Sequence, residues 1–167
     1  VNMSNRPKVN GAVSSAHPLA TEAGRAILQQ GGNAFDAAVA TAAALNVVEP
    51  MMSGLGGYGT ILVYHAAEKR CRFLNASDRI PRGVNSDLFR APTPNYEANR
   101  RGAKAISTPG NLRAWEALAA YGRFPFTTTL QSAITLAQEG FPISPQLAEA
   151  IRREFSDFPA HAQSFYG

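Results

Sequence analysis

The sequence predicts an α+β fold in which antiparallel strands are covered by helices. Apolar residues recur at helical spacing in stretches near both ends of the chain. The two strongest strand-like runs, Thr60 to His65 and Arg70 to Ala76, are joined by only Ala66-Ala67-Glu68-Lys69, which makes a hairpin the economical reading. Strands alternating with helices are absent, which argues against a doubly wound parallel sheet. The 167 residues suffice for one domain with a sizeable core.

Residues 1–10 read as a tail, and Ala12 to Ala16 as a short strand. A helix fits Pro18 to Gln30: Pro18 suits a first helical position, Leu19, Ala23, Ala26 and Ile27 share a face, and Gly31-Gly32 end it. Ser14, Ser15 and His17 just before it read as a turn-and-cap signal. Asn33 can cap a second helix, with Asp36 near its positive end. That helix, Ala34 to about Val48, is mostly alanine; Ala37, Ala38, Thr41, Ala42 and Leu45 would let another backbone come close, so it is expected to lie flat on a sheet until Pro50 stops it.

Four glycines follow between Gly54 and Gly59, where helix gives way to strand. Such density implies unusual torsions or close approach. Gly54, Gly56 and Gly59 formally match G-x-G-x-x-G, but a dinucleotide site needs a strand before and a helix after. The order here is reversed, so that reading is rejected. After the hairpin, residues 77–102 are irregular, too long a stretch for a plain loop. A short strand at Ala103 to Ser107 is expected next.

Three helices close the chain. Asn111 to Tyr121 carries Leu112, Trp115, Leu118 and Ala119 on one side; Thr128 to Glu139 carries Leu130, Ala133, Ile134 and Ala137, with Gly140 ending it. Ser144 caps and Pro145 starts the last, with Leu147, Ala150, Ile151 and Phe155 inward. Ser156 to Gly167 has no strong pattern. So many apolar helices on three or four strands point to partner strands from another chain.

Composition narrows the function. The charge of +4 comes from scattered basic pairs without interleaved aromatics, a solvated surface and not a nucleic-acid patch. No apolar run reaches membrane-spanning length, and the first residues carry no signal-peptide apolar region. The cytoplasm is therefore the expected compartment, with the periplasm or the exterior the alternative if a signal peptide was removed. Cys71 reads as a small filler on a strand face, and His17, His65 and His161 share no metal-ligand spacing. No nucleophile and base can be assembled, so either the protein is not an enzyme or its catalytic centre lies on another polypeptide.

Several ordered motifs carry a resemblance. Ser-Ala-His-Pro-Leu-Ala-Thr-Glu-Ala-Gly (15–24), Gly-Gly-Asn-Ala-Phe-Asp-Ala-Ala-Val-Ala (31–40), Val-Glu-Pro (48–50), Ser-Gly-Leu-Gly-Gly-Tyr-Gly (53–59), Ser-Thr-Pro-Gly-Asn-Leu-Arg-Ala-Trp (107–115) and Ala-Ile-Thr-Leu-Ala-Gln-Glu-Gly-Phe-Pro-Ile-Ser (133–144) resemble the N-terminal part of the γ-glutamyltransferase large subunit. The resemblance implies an N-terminal-nucleophile hydrolase fold, an αββα sandwich of which residues 11–167 form the first part of a single domain. It implies a precursor that cuts itself into large and small subunits. The nucleophile is then the threonine that begins the small subunit, so no catalytic residue is expected on this chain. The free α-amine beside that hydroxyl titrates near neutrality and can serve as its base. No cofactor is implied. The expected partners are the small subunit from the same precursor, a small amide or peptide substrate, and further copies of the assembled enzyme. The chain reads as roughly the first half of a large subunit, its end at Gly167 an interruption.

One departure bears on substrate. The family pattern Asp-x-Arg-Glu-x-x-Pro follows the hairpin, its arginine gripping the substrate carboxylate. Counted without gaps to Pro81, the arginine position falls on Ser77, the aspartate on Asn75 and the glutamate on Asp78. A neutral hydroxyl cannot replace a bidentate guanidinium. Arg79 stands in for it if the loop is re-registered, so Asn75, Ser77, Asp78 and Arg79 are the expected substrate-binding residues. Otherwise the acyl group is not γ-glutamyl, as in acylases of the same family. A non-catalytic relative is the reading from a different class. The glycines from Gly54 to Gly59 are then expected to lie against the small-subunit core, near the site without forming it.

Overall fold

A computed structural model describes residues 11–77, 79–89, 99 and 105–166. Helix α1 spans Pro18–Gln29, α2 Ala34–Val48, strand β1 Thr60–His65, β2 Arg70–Asn75, α3 Asn111–Ala119, α4 Phe126–Glu139, α5 Pro145–Glu154 and α6 Ala160–Tyr166. The chain divides into two compact units: residues up to Gly54 together with those from Tyr121 onward, and Leu55–Ala120 between them.

The first unit is helical. His17 is the N-cap of α1, its Nδ1 accepting the Leu19 amide at 3.2 Å, while the Ser15 hydroxyl donates to the His17 carbonyl at 2.9 Å. The Ser-Ser-x-His stretch is thus a cap and not a catalytic pair. Gly31 adopts φ +100, a left-handed torsion that glycine tolerates and that turns the chain toward α2.

Helix α2 starts with a full capping box: Asn33 Oδ1 accepts the amides of Phe35 and Asp36, and Asp36 Oδ2 accepts the Asn33 amide. The Asp36 carboxylate does more than cap. It is fully buried and also accepts the amides of Arg123 (2.9 Å) and Phe124 (3.3 Å), tying the approach to α4 onto the start of α2.

Small residues set the helix contacts. Ala20, Ala23, Ala44 and Val48 form one buried cluster with Leu19, Leu45, Leu136 and Phe141 around it. Ile27, Ala37 and Ala40 form another with Val13, Leu28 and Phe124. Where α1 faces α2, a Cβ on Gly24 would stand 2.2 Å from Thr41 Oγ1 and 3.1 Å from the Ala37 carbonyl. Within this unit α2 packs on helices α1 and α4. Its side bearing Ala38, Ala42 and Leu45 lines an open cleft together with residues 11–15, which show no strand pairing among the described residues.

Further boundaries agree with local punctuation. Helix α4 ends at Gly140, with φ +79. Ser144 Oγ accepts the Leu147 amide at 3.1 Å to open α5. Beyond it, where no pattern was expected, Phe155–Asp157 make a 3-10 turn and α6 follows. Tertiary contact holds this end: Phe158 lies 6.1 Å from Phe155 and 5.6 Å from Tyr166 between ring centres.

In the second unit β1 and β2 pair antiparallel, with Leu62 opposite Phe73, Tyr64 opposite Cys71 and Thr60 opposite Asn75. Cross-strand partners share a face, so Leu62, Tyr64, Cys71 and Phe73 form one apolar side, and it is exposed. At the turn, Arg72 pairs with Glu68 at 2.5 Å. That hydrogen bond holds the Glu68 carboxyl below the usual range. Of the strand expected at Ala103 to Ser107, the first two residues lie outside the described set, and Ala105 to Ser107 are not strand. The described sheet is the hairpin alone.

Candidate substrate-binding wall at the end of the hairpin

The hairpin delivers the chain to the candidate site. Past the last strand pair, the Ala76 amide donates to the Gly59 carbonyl at 2.9 Å. Asn75 Oδ1 then accepts the Ser77 amide at 2.8 Å. Such an Asx turn offers the backbone an alternative to the ladder and ends the strand. Asn75 therefore acts locally on the backbone. Beyond it the Thr108 hydroxyl donates to the Arg79 carbonyl at 3.4 Å, a long contact between the two sides of the site.

Ser77 and Arg79 line the same two cavities. The larger, about 830 Å³, is walled by Ile80, Val84, Leu88, Phe89 and Ile106, with Tyr58 at its side. The smaller, about 570 Å³, shares Thr108 with the larger and adds Asn75 and two side chains of α3, Arg113 and Glu116. Ser77 and Arg79 thus lie on one wall, although β2 ends before either and no strand geometry places them. Asp78 lies outside the described residues. Arg113, which forms an ion pair with Glu116, is a second guanidinium at the smaller cavity. Sequence reading passed over it because it sits within an ordinary helical pattern.

Among the described glycines, positive φ occurs at Gly31 and Gly140, not at Gly54, Gly56 or Gly59. A Cβ on Gly54 or Gly56 would meet nothing within 4 Å, and on Gly59 only Asn111 Oδ1 at 3.8 Å. Neither strained torsions nor close approach within this chain explains these residues. What the stretch does is cap α3: the Gly57 carbonyl accepts the amides of Gly110 (3.0 Å) and Asn111 (3.2 Å), at a helix start with no side-chain cap. The order helix, glycines, strand stands as read, without the geometry of a dinucleotide loop.

Solved structures share the fold of this chain. The chain superposes on the crystal structure of the gamma-glutamyltranspeptidase of Helicobacter pylori with a TM-score of 0.80 and 32% identity, over 89% of this chain and 43% of that one. The fold is thus the α+β one of the N-terminal-nucleophile hydrolases, represented here by part of the domain. The sequence profile described as Gamma-glutamyltranspeptidase matches residues 20–167, and the chain belongs to that family. It corresponds to the N-terminal part of the large subunit. It is 43% identical over 147 residues to the glutathione hydrolase proenzyme of Bacillus subtilis (strain 168), covering 85% of this chain and 25% of that protein. It is 38% identical over 156 residues to the acylase ACY 1 proenzyme of Pseudomonas sp. (strain V22), covering 88% and 28%. The chain thus spans about a quarter of the length of these relatives.

Proposed function

We propose that the protein containing this chain is an autoprocessed amide hydrolase or acyltransferase, with the chain supplying part of its acyl-binding wall. The observation that carries this is the family match over residues 20–167, joined to the presence of Ser77 and Arg79 on one cavity wall after the hairpin. Both proteins compared above are named proenzymes, which supports a precursor cut into two subunits. In this reading the threonine hydroxyl that begins the small subunit attacks the substrate carbonyl. The terminal amine takes the hydroxyl proton and delivers it to the leaving amine. Water or an acceptor amine then resolves the ester.

Arg79 takes the substrate carboxylate that Ser77 cannot hold. The acyl group is γ-glutamyl or a related carboxylate-bearing acyl group. Ser77 at the arginine position and the likeness to an acylase favour the second. Mass spectrometry of the full-length protein should show two chains, the smaller beginning with Thr, and the purified protein should release nitroaniline from an acyl-p-nitroanilide. An uncleaved precursor without turnover would sink the proposal. Arg79→Ala should leave cleavage intact and lower kcat/KM on the order of a hundredfold, with Arg79→Lys restoring little. Unchanged kcat/KM would remove Arg79 from the site.

A further inference from the structure

The segment Gly57-Tyr58-Gly59 joins the two sides of the candidate site. The Gly59 carbonyl accepts the Ala76 amide at 2.9 Å, just before Ser77 and Arg79. The Gly57 carbonyl accepts the amides of Gly110 (3.0 Å) and Asn111 (3.2 Å), just after Thr108 and Pro109. Backbone bonds thus fix the near ends of both sides to one short segment, with Tyr58 between them lining the larger cavity. A side chain closes the frame. The Thr108 hydroxyl donates to the Arg79 carbonyl at 3.4 Å, across 29 positions of sequence, and both residues line both cavities.

Thr108 is suited to this place. It precedes Pro109, which restricts its backbone to extended conformations. Its branched Cβ leaves few side-chain rotamers. The hydroxyl is therefore presented from a fixed position beside the start of α3. Arg79 has the opposite character: it is exposed, lies beyond the end of β2 and carries its guanidinium on a long stem. Holding its carbonyl restricts where the guanidinium can reach, which lowers the ordering cost of gripping a ligand. The contact is long for a hydroxyl bond. Bonds around a reacting substrate are commonly long before it arrives and tighten with it.

We propose that Thr108 is a positioning residue, acting through the Arg79 peptide to aim that guanidinium at the substrate carboxylate. The inference rests on the reading of Arg79 as the carboxylate's partner and adds the residue that sets its place.

The test uses the full-length processed protein and two pairs of p-nitroanilides: γ-glutamyl with γ-aminobutyryl, and glutaryl with butyryl. The members of a pair differ only in the carboxylate, so their ratio of kcat/KM reads the grip on it, in whichever pair the wild type turns over. Thr108→Val removes the hydroxyl and keeps the shape. One hydrogen bond is worth about three- to tenfold, so the ratio should fall about fivefold. Thr108→Ser keeps the hydroxyl and should stay within about twofold of the wild type. In an Arg79→Ala background, Thr108→Val should change the ratio no further, because the two residues act on one interaction. Subunit cleavage, followed by mass spectrometry, reports that each variant folds, and Thr108→Ala is a second hydroxyl-free variant.

A ratio unchanged by Thr108→Val, an equal fall with and without Arg79, or a Thr108→Ser variant as impaired as Thr108→Val would overturn the inference and leave the amide-hydrolase reading standing. Loss of cleavage in both hydroxyl-free variants would make Thr108 a folding residue and overturn it as well. Calorimetry with free L-glutamate and glutarate separates the opposite case. Binding that Thr108→Val weakens about fivefold, without turnover of any anilide, would retain the frame and overturn the hydrolase reading. Neither binding nor turnover by the wild type would overturn both.

Discussion

Asp36→Ala is the substitution from which the helical unit should suffer most clearly. The carboxylate is fully buried and accepts amides from Asn33, Arg123 and Phe124. Removing it leaves those donors unpaired. Each costs about 1 kcal/mol in a partly buried setting, the low end of the usual range of about 1–3. The sum is about 3 kcal/mol, reduced somewhat because the carboxylate's own desolvation disappears. Asp36→Asn keeps one acceptor oxygen but turns an amino group on the remaining donors, so about 1–2 kcal/mol is expected. Hydrogen exchange of the full-length processed protein, read by mass spectrometry, is the assay. The segment containing Arg123 and Phe124 should exchange on the order of a hundredfold faster in Asp36→Ala and about tenfold faster in Asp36→Asn. The hairpin should be unchanged. Wild-type exchange at Arg123 and Phe124 in Asp36→Ala would refute the claim that this carboxylate holds α2 to the approach of α4.

The close approach of α1 and α2 makes Gly24→Ala destabilising by about 2 kcal/mol, since the new methyl would meet Thr41 Oγ1 at 2.2 Å and the Ala37 carbonyl at 3.1 Å. Adding Thr41→Ala should recover part of the loss in melting temperature, the backbone contact remaining. On the surface, the hydrogen bond from Arg25 lowers the Glu22 pKa. A carboxylate shifted in this direction contributes stability above its unfolded pKa and loses it as pH falls through the lowered folded value. Carboxyl-carbon NMR should therefore find Glu22 titrating below a free glutamate, and Arg25→Ala should move the midpoint back up.

The parts legible in the sequence are those written in local chemistry. Pro18, the Asn33–Asp36 pair, Gly140 and Ser144-Pro145 each act on backbone groups a few residues away, and the boundaries of α1, α2 and α5 follow them. What depends on distant neighbours was less visible. Asp36 reads as a cap, and its bonds to Arg123 and Phe124 bridge sequence positions that no local pattern connects. The buried residues of α1 are Ala20, Ala23, Gly24 and Ile27, shifted toward the α2 contact from the face predicted by periodicity. Helix α6 had no sequence signal because its support is aromatic contact with Phe158. At the candidate site, Ser77 and Arg79 stand out only through the family pattern, since a lone arginine in an irregular stretch carries no local sign of which anion it holds. At Gly54 and Gly56, glycine density goes with neither a positive φ nor a close neighbour within this chain.

The helical unit is assembled from segments on either side of Leu55–Ala120. During synthesis, α1 and α2 leave the ribosome well before α4 exists. Until Tyr121 and its successors arrive, the Asp36 carboxylate lacks two of its amide donors, and the alanine face that α4 covers stays open. The hairpin, whose contacts are local, can form in that interval, whereas the helical unit must wait. A ribosome stalled before residue 120, once Arg70–Asn75 has emerged, would thus display a paired hairpin and an unfinished helical unit. Pausing within that window, more than within the helices themselves, would govern how long the alanine helix stays exposed to chaperones.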